Sequence, residues 1–270
     1  MNALTQGSIL YGIRSCKYPD FPCYGIIISA SCDIANCKVP KFYYLIATKV
    51  ENWFSTKIGY EEAYANKIKT CENTFAEAIK DYFDLQTALN FSEEKFYKIL
   101  KTVEEKRDLS KIKKAYEQIL EYCSTNMDNE KRINIIRKEN NPIEKYLEKI
   151  SKGEIVHFYY LPECAYYKNG KKSTGLIVDL QEIEILSIMD AKKIQSPGID
   201  YKLLPKDTAE EQERLKTYYW LETEDDFVII DENIKSPYIE HLMQRFSNTF
   251  IRIGINGATN KDFKELLNNI

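Results

Sequence analysis

Cys32 and Asp33 directly follow a strand that the sequence predicts to be buried. Loops at strand ends often carry functional residues, and a cysteine becomes a nucleophile when a base or a positive charge lowers its pKa. The only histidines are His157 and His241, and Arg245 follows His241 by one helical turn. Cys32, Asp33 and His241 are therefore candidate catalytic residues. The alternative is structural, with Asp33 capping a turn.

Four cysteines lie close together in the first part of the chain: Cys16, Cys23, Cys32 and Cys37. Structural zinc sites usually take cysteine pairs that are separated by two to four residues, and wider intervals predominate here. The spacing favours buried or free thiols, with a zinc site as the alternative. We predict no metal and no cofactor.

Asp179, Glu182 and Glu184 are candidates for a carboxylate site that binds a divalent cation in a hydrolase or nuclease. The alternation of acidic and aliphatic residues from Glu182 to Ile188 is also typical of a strand with one solvated face. We prefer the solvated face, with metal-dependent hydrolysis as the alternative.

Lys131, Arg132, Arg137 and Lys138 are candidate binding residues on a predicted helix. A basic helical face contacts phosphates in many nucleic-acid-binding proteins. Glutamates are interleaved with these residues, however, and the net charge of the chain is −3. A salt-bridged helix surface is therefore favoured over a nucleic-acid interface.

These side chains must be positioned by two different kinds of structure. Short β-branched and aromatic runs predict three early strands, and similar runs return after Gly153. The predicted strands are Ser8–Ser15, Tyr24–Ser31, Lys41–Val50, Glu154–Leu161, Thr174–Leu180, Glu182–Ile188, Tyr218–Leu221, Phe227–Ile230 and Phe250–Ile255. Residues 193–208 are predicted to be a loop, and helices are predicted at Tyr238–Phe246 and from about Asn260.

Between about Tyr60 and Ser151 the apolar residues recur at helical spacing and turn residues are rare. Four or five helices are predicted there, with Ser92 as one N-cap, Asn141 before Pro142 as another start, and Gly153 as a stop. The sequence thus predicts an α+β fold, a small mixed β-sheet or barrel interrupted by an inserted helical bundle. The predicted domains are 1–55 with 152–270, a β-rich domain, and 56–151, an inserted helical domain.

The bulk composition bears on compartment and class. No apolar run approaches the roughly 18 residues of a membrane span, and no export signal is recognised at the start of the chain. Seven cysteines at irregular spacing are typical of reduced thiols. We therefore expect a cytoplasmic protein without a membrane partner.

Two segments resemble a group of poorly characterised bacterial proteins from mobile-element or defence neighbourhoods. Gly25–Lys38 contains a strand followed by Ser-x-Ser-Cys-Asp-Ile, and Ser236–Phe246 with Phe250–Gly254 is similar to their closing helix and strand. The resemblance implies a component of such a bacterial system. Arg245 and Arg252 in the second segment are further candidate binding residues. The resemblance also suggests that Asp33 pairs with one of these two arginines in a polar core that locks the fold.

The favoured function is a non-catalytic binding or adaptor protein that acts through protein–protein contacts. Twenty tyrosines suit an interface, since tyrosine supplies contact area at a low entropic cost. A hydrolase or nuclease that uses Cys32 or the acidic residues is one alternative. A zinc-stabilised nucleic-acid-binding protein is another, so a nucleic-acid partner is not favoured but stays open.

Overall fold

A computed structural model describes residues 3–36, 38–101, 106–123, 127–166, 175–204 and 209–251. The strands within these ranges are β1 (Ser8–Ile13), β2 (Cys23–Ile27), β3 (Lys41–Lys49), β4 (Phe158–Leu161), β5 (Leu176–Ser187), β6 (Ile199–Asp200) and β7 (Phe227–Asn233). The helices are α1 (Ser31–Ala35), α2 (Val50–Ser55), α3 (Lys57–Ile79), α4 (Leu85–Leu89), α5 (Glu93–Leu100), α6 (Lys106–Tyr122), α7 (Asn129–Lys138), α8 (Asn141–Lys152), α9 (Ile188–Gln195), α10 (Ala209–Tyr218) and α11 (Tyr238–Ile251).

The strands form one seven-stranded sheet in the order β4-β5-β3-β2-β1-β7-β6. β1 lies between β2 and β7, and β3 lies between β2 and β5, so early and late parts of the chain share one sheet as predicted. The α+β class is confirmed. Every described strand pair is antiparallel and the sheet does not close, so the open sheet is the alternative that the protein adopts, rather than a barrel or a mixed sheet.

The chain divides into two compact units. The sheet unit comprises Met1–Asn52 and Glu148–Ile270, and the helical unit comprises Trp53–Leu147. The sequence places the corresponding boundaries after residues 55 and 151. The helical unit therefore separates β3 from β4 along the chain.

The sheet unit buries apolar side chains on both faces of its central strands. On one face Ile26, Leu45 and Val178 belong to the same cluster as Leu242 of α11, against which Phe246 also packs. Successive residues of a strand point to opposite faces, so Tyr44 and Ile46 lie on the other side, where they are also buried. This double burial explains why the central strands are apolar at consecutive positions.

The helical unit has an aromatic core in which α3, α5 and α6 meet. The rings of Phe96 and Tyr116 stack with centroids 3.8 Å apart, and Phe75 lies 5.7 Å from each. Six helices, α3 to α8, occupy the described part of the predicted helical block, more than the predicted four or five. The predicted N-cap is confirmed, since the Ser92 hydroxyl accepts a hydrogen bond from the Lys95 N–H.

Several elements differ from the sequence prediction because tertiary contacts decide them. The two strands predicted at Thr174–Leu180 and Glu182–Ile188 form one long strand, β5, with a bulge in its pairing to β3. The predicted strand at Tyr218–Leu221 is wrong, since Tyr218 ends α10 and only a single bridge joins Ile13 to Tyr219.

The segment 193–208 contains the end of α9 and the short strand β6, so the predicted loop is only partly correct. Helix α11 extends to Ile251, so a strand does not begin at Phe250, and the rest of that predicted strand lies outside the described residues. The terminal helix predicted from about Asn260 lies outside them as well.

Candidate functional site

Cys32 and Asp33 lie in α1, the short helix after β2. The Cys32 thiol is exposed and its Sγ lies 3.7 Å from Asp33 Oδ1. The preceding Ser31 is bound to the start of the chain, with its hydroxyl oxygen 2.7 Å from that of Thr5. Within the described residues, Asp33 is the only side chain that forms a hydrogen bond with the Cys32 thiol.

His241 lies on α11 against β4. Its Nδ1 is 3.2 Å from the Tyr159 hydroxyl, and the two rings meet edge to face at 5.4 Å. Burial raises the pKa of Tyr159, the nearby Tyr238 adds to this, and Arg245 partly opposes it. The structure does not bring His241 to Cys32 in the described part of the chain. The catalytic trio that the sequence suggests is therefore not assembled there.

Arg245 does connect the closing helix to the sheet, but not through Asp33. Its Nη2 donates to the carbonyl oxygen of Ile155 at 3.0 Å and lies 3.5 Å from that of Phe158. Gly153 has φ of +79°, and a Cβ there would lie 2.4 Å from Arg245 Nη1. The guanidinium thus occupies space that only glycine leaves open. The predicted Asp33–Arg245 pair is not formed, and Arg252 lies outside the described residues.

The other histidine, His157, is exposed just before β4. Its carbonyl oxygen accepts a hydrogen bond from the Leu180 N–H at 2.9 Å, which extends the β4–β5 pairing by one bond. In the described structure His157 therefore contributes its main-chain carbonyl oxygen to the sheet.

Asp179 is buried, and its carboxylate is held by a cation and a hydroxyl. Asp179 Oδ2 accepts from Lys17 Nζ at 2.6 Å and from the Tyr18 hydroxyl at 2.8 Å. Lys17 also lies 3.5 Å from Glu182, whereas no ion pair of Glu184 occurs among the described residues. Lys17 thus neutralises Asp179, as a metal ion would in the hypothesised site. No group of three metal-binding side chains occurs in the described ranges.

The three early cysteines that the structure describes, Cys16, Cys23 and Cys32, belong to no group of three or more metal-binding side chains. Cys23 is buried, its pKa is raised to about 12 by burial, and its Sγ is directed at the carbonyl oxygens of Tyr18 and Phe21. Cys16 is exposed, and Cys37 lies outside the described residues.

The basic residues of α7 bind main-chain carbonyls and a glutamate within the helical unit. Lys131 donates to Leu120 O, Arg132 donates to Ser55 O and Met127 O, and Lys138 lies 3.6 Å from Glu121. Arg137 is exposed. Three of the four candidate binding residues thus connect neighbouring parts of the unit, which reduces their freedom to contact phosphates.

An ion pair between a buried carboxylate and a half-buried arginine in the sheet unit was not predicted from the sequence. Arg214 binds Asp190 through two hydrogen bonds of 2.7 and 2.9 Å and also binds Glu211, which Lys193 contacts at 2.7 Å. Burial is the largest single influence and raises the pKa of Asp190, but the hydrogen bonds and charge of Arg214, together with hydrogen bonds to Ser187 and Tyr219, lower it overall. The pair joins α9 to α10. The sequence contains one local signal of this arrangement, Ser187 three residues before Asp190. The Ser187 hydroxyl accepts a hydrogen bond from the Asp190 N–H and thereby caps α9.

In the second half of β5 the aliphatic side chains are exposed. This contradicts the sequence prediction, in which the acidic side chains occupy the solvated face of the strand. Ile183 and Ile185 are 37% and 45% exposed, and Tyr43 of β3, which pairs with Ile185, is 47% exposed. Glu182 and Glu184 on the other side are half-buried. We call these five residues the β5 surface. The sequence did not predict that the isoleucines are exposed. The alternation places the aliphatic residues on one face of the strand without specifying what covers that face.

The main-chain N–H and C=O groups of the two isoleucines in the β5 surface are also free to form hydrogen bonds in the described structure. Tyr43 accepts from the Ile28 N–H and donates to the Ser29 hydroxyl, so its peptide groups point toward β2. Its partner Ile185 therefore directs its own N–H and C=O away from β3, and so does Ile183. On that side β4 pairs only as far as Asp179, followed by the single bond at Leu180. The two isoleucines thus form an open strand edge in the described structure.

No protein-family model, curated protein or solved structure matches this chain. Among the described residues, no helix is both long enough and apolar enough to cross a bilayer.

Proposed function

We propose that this chain is a binding or adaptor protein that docks a partner protein on the β5 surface. The observation that supports the proposal is the coincidence of exposed isoleucines with an open strand edge. Natural sheets usually cover or charge such edges, because unpaired main-chain groups beside apolar side chains recruit other chains. An open edge that keeps exposed isoleucines is therefore most simply explained as a binding site.

The tyrosine content gives weaker support than the sequence suggested. More than half of the tyrosines are buried, and several bind partners inside the units. For example, the Tyr122 hydroxyl donates to Glu139 Oε1 at 3.0 Å. The proposal therefore depends on one located surface and not on composition.

The likeness of Gly25–Lys38 and Ser236–Gly254 to bacterial mobile-element and defence proteins extends the proposal. It makes a protein of such a system the expected partner. This part of the proposal depends only on those two segments.

The proposed function is tested by comparing two isoleucine-to-lysine variants of the full chain as bait. Ile185→Lys alters the β5 surface, and Ile58→Lys is the matched control, because Ile58 lies in the helical unit and is 42% exposed. The expected partner is retained by the wild type and by Ile58→Lys and is lost by Ile185→Lys. It must then bind the purified wild-type chain with the same dependence on Ile185. If everything that the wild type retains is retained equally by Ile185→Lys, the β5 surface is not the docking site.

A further inference from the structure

The β5 surface has a different chemistry on each side of the open edge. Ile183 and Ile185 point to one face, together with Tyr43, and Glu182 and Glu184 point to the other. An extended segment that pairs with this edge would place its own side chains alternately on the same two faces. Its sequence must therefore be apolar at every second position and complementary to glutamate at the positions between.

On the acidic side, no positively charged side chain forms an ion pair with Glu184 among the residues that the structure describes. Lys17 is 3.5 Å from Glu182 but is mainly bound to Asp179 at 2.6 Å. Burial raises the pKa of Glu184, and the negative charge of Glu182 raises it further. A lysine or arginine beside Glu184 would relieve this repulsion, because opposite charges across a strand pair are favourable and like charges are not.

A second copy of the chain fits this edge poorly. If β5 paired with itself about a two-fold axis and used both outward-facing isoleucines, Ile183 would face Ile185 of the other copy. Glu184 would then lie directly opposite its own counterpart. Cross-strand side chains in such a pair are about 5 Å apart, so the two carboxylates would repel each other. Charge complementarity therefore favours a different, basic partner.

We infer that the partner is recognised through an extended segment with alternating aliphatic and basic residues, which adds to the open edge of β5 as a further antiparallel or parallel strand. The inference rests on the proposed function and specifies the chemistry of its partner. In this mode of recognition main-chain hydrogen bonds supply affinity and alternate side chains supply specificity.

The test uses a synthetic nine-residue peptide of alternating lysine and valine, carrying a fluorescent label, and the full-length protein. Fluorescence anisotropy should show saturable binding to the wild type. Ile185→Pro removes the outward N–H at an edge position that tolerates proline, and it should weaken binding by about tenfold or more. Ile185→Val keeps the N–H and the β-branched side chain and serves as the matched control.

Two further peptides test the inference without altering the protein. One carries glutamate in place of lysine, and the other is methylated on alternate main-chain nitrogens so that one edge cannot donate hydrogen bonds. Both should bind at least about tenfold more weakly than the lysine–valine peptide. Equal binding of the methylated peptide, or equal binding to folded Ile185→Pro, would overturn strand addition. Equal binding of the glutamate peptide would overturn the basic partner.

The result also separates this inference from the proposed function. If the bait comparison identifies a partner that needs Ile185, but the peptides do not bind, docking on the β5 surface stands and strand addition is wrong. If sedimentation shows a dimer of the wild type that Ile185→Pro dissociates, the occupant is a second copy and the inference of a basic partner is wrong.

Discussion

The two halves of β5 belong to one strand but have opposite environments. From Leu176 to Val178 the strand is paired on both sides, with β3 and β4, and Asp179 continues the pairing with β4. All five residues from Leu176 to Leu180 are buried. From Ile183 to Ser187 it pairs only with β3 in the described structure, and the exposed Ile183 and Ile185 alternate with half-buried or buried residues. The first half is held in the interior, whereas the second half presents an edge.

The polar residues of the two halves differ in the same way. Asp179 in the first half has Lys17 and the Tyr18 hydroxyl as partners, so its buried charge is neutralised. Glu184 in the second half has a like charge nearby, and its pKa is raised by burial and by Glu182. A buried carboxylate thus completes the fold where the chain supplies its partners, whereas Glu184, which has no such partner among the described residues, supports the binding role proposed for the second half.

Hydrogen exchange should give the largest contrast between the two halves. The Leu180 N–H is bonded to His157 O, whereas the Ile185 N–H points to the open edge. Because interior amides exchange only by extensive unfolding, we expect protection at Leu180 to exceed that at Ile185 by at least about 10³-fold. The measurement is amide exchange by NMR. Comparable protection would mean that another part of the chain covers the edge.

Truncation of an aliphatic side chain should also distinguish the halves. Leu180→Ala removes a fully buried side chain and should lower the free energy of unfolding by about 2–5 kcal/mol. Ile185→Ala should lower it by about 0.5 kcal/mol, as for most surface changes. Denaturant unfolding is measured in a Trp53→Phe background. Trp220 is then the only tryptophan, so its fluorescence reports on the sheet unit. Equal losses of unfolding free energy in the two variants would contradict the difference between the two halves of β5.

The two acidic positions should respond differently to loss of charge. Asp179→Asn weakens the contacts with Lys17 and Tyr18 and should cost about 1–3 kcal/mol of unfolding free energy. Glu184→Gln is the matched change in the other half and should alter stability by no more than about 0.5 kcal/mol. The same unfolding assay measures both. A large loss in Glu184→Gln would show that Glu184 already has an essential partner.

The smallest expected effect is the pH dependence of the Glu184→Gln difference. A carboxyl group whose pKa is higher in the folded than in the unfolded state costs stability when it is ionised, and this cost vanishes as it becomes protonated. Glu184→Gln should therefore be slightly more stable than the wild type at pH 7. The gap should close as the pH falls through the raised pKa toward the ordinary glutamate value of 4.5. A gap that widens in acid would reverse the sign assigned to Glu184.

A second carboxyl provides the opposite sign for comparison. Hydrogen bonds from Arg214 and then from Lys193 lower the pKa of Glu211 to about 2. A lowered pKa contributes stability above the unfolded-state value of 4.5, and this contribution is lost as the pH falls toward 2. Glu211→Gln should therefore be less stable than the wild type near pH 6, with the difference disappearing in strong acid.

The sequence by itself determined the α+β class, the common sheet of early and late strands, and the local signals that begin and end helices. Period-two and helical patterns, the Ser92 cap and the glycine after α8 are local features, so they could be recognised without knowledge of the tertiary structure. The sequence also identified the acidic and aliphatic alternation in residues 182–188.

Only the tertiary structure decided which face of that alternation is covered, where β4 ends against β5, and which charges meet. Lys17 and Asp179 are 162 positions apart, and Asp190 and Arg214 lie on different helices, so no local pattern could pair them. Cys32 and His241 have the residue types for catalysis, yet the described fold does not bring them together. Burial and partnership depend on neighbours that are distant in the chain, and here those neighbours turn the second half of β5 into an exposed edge.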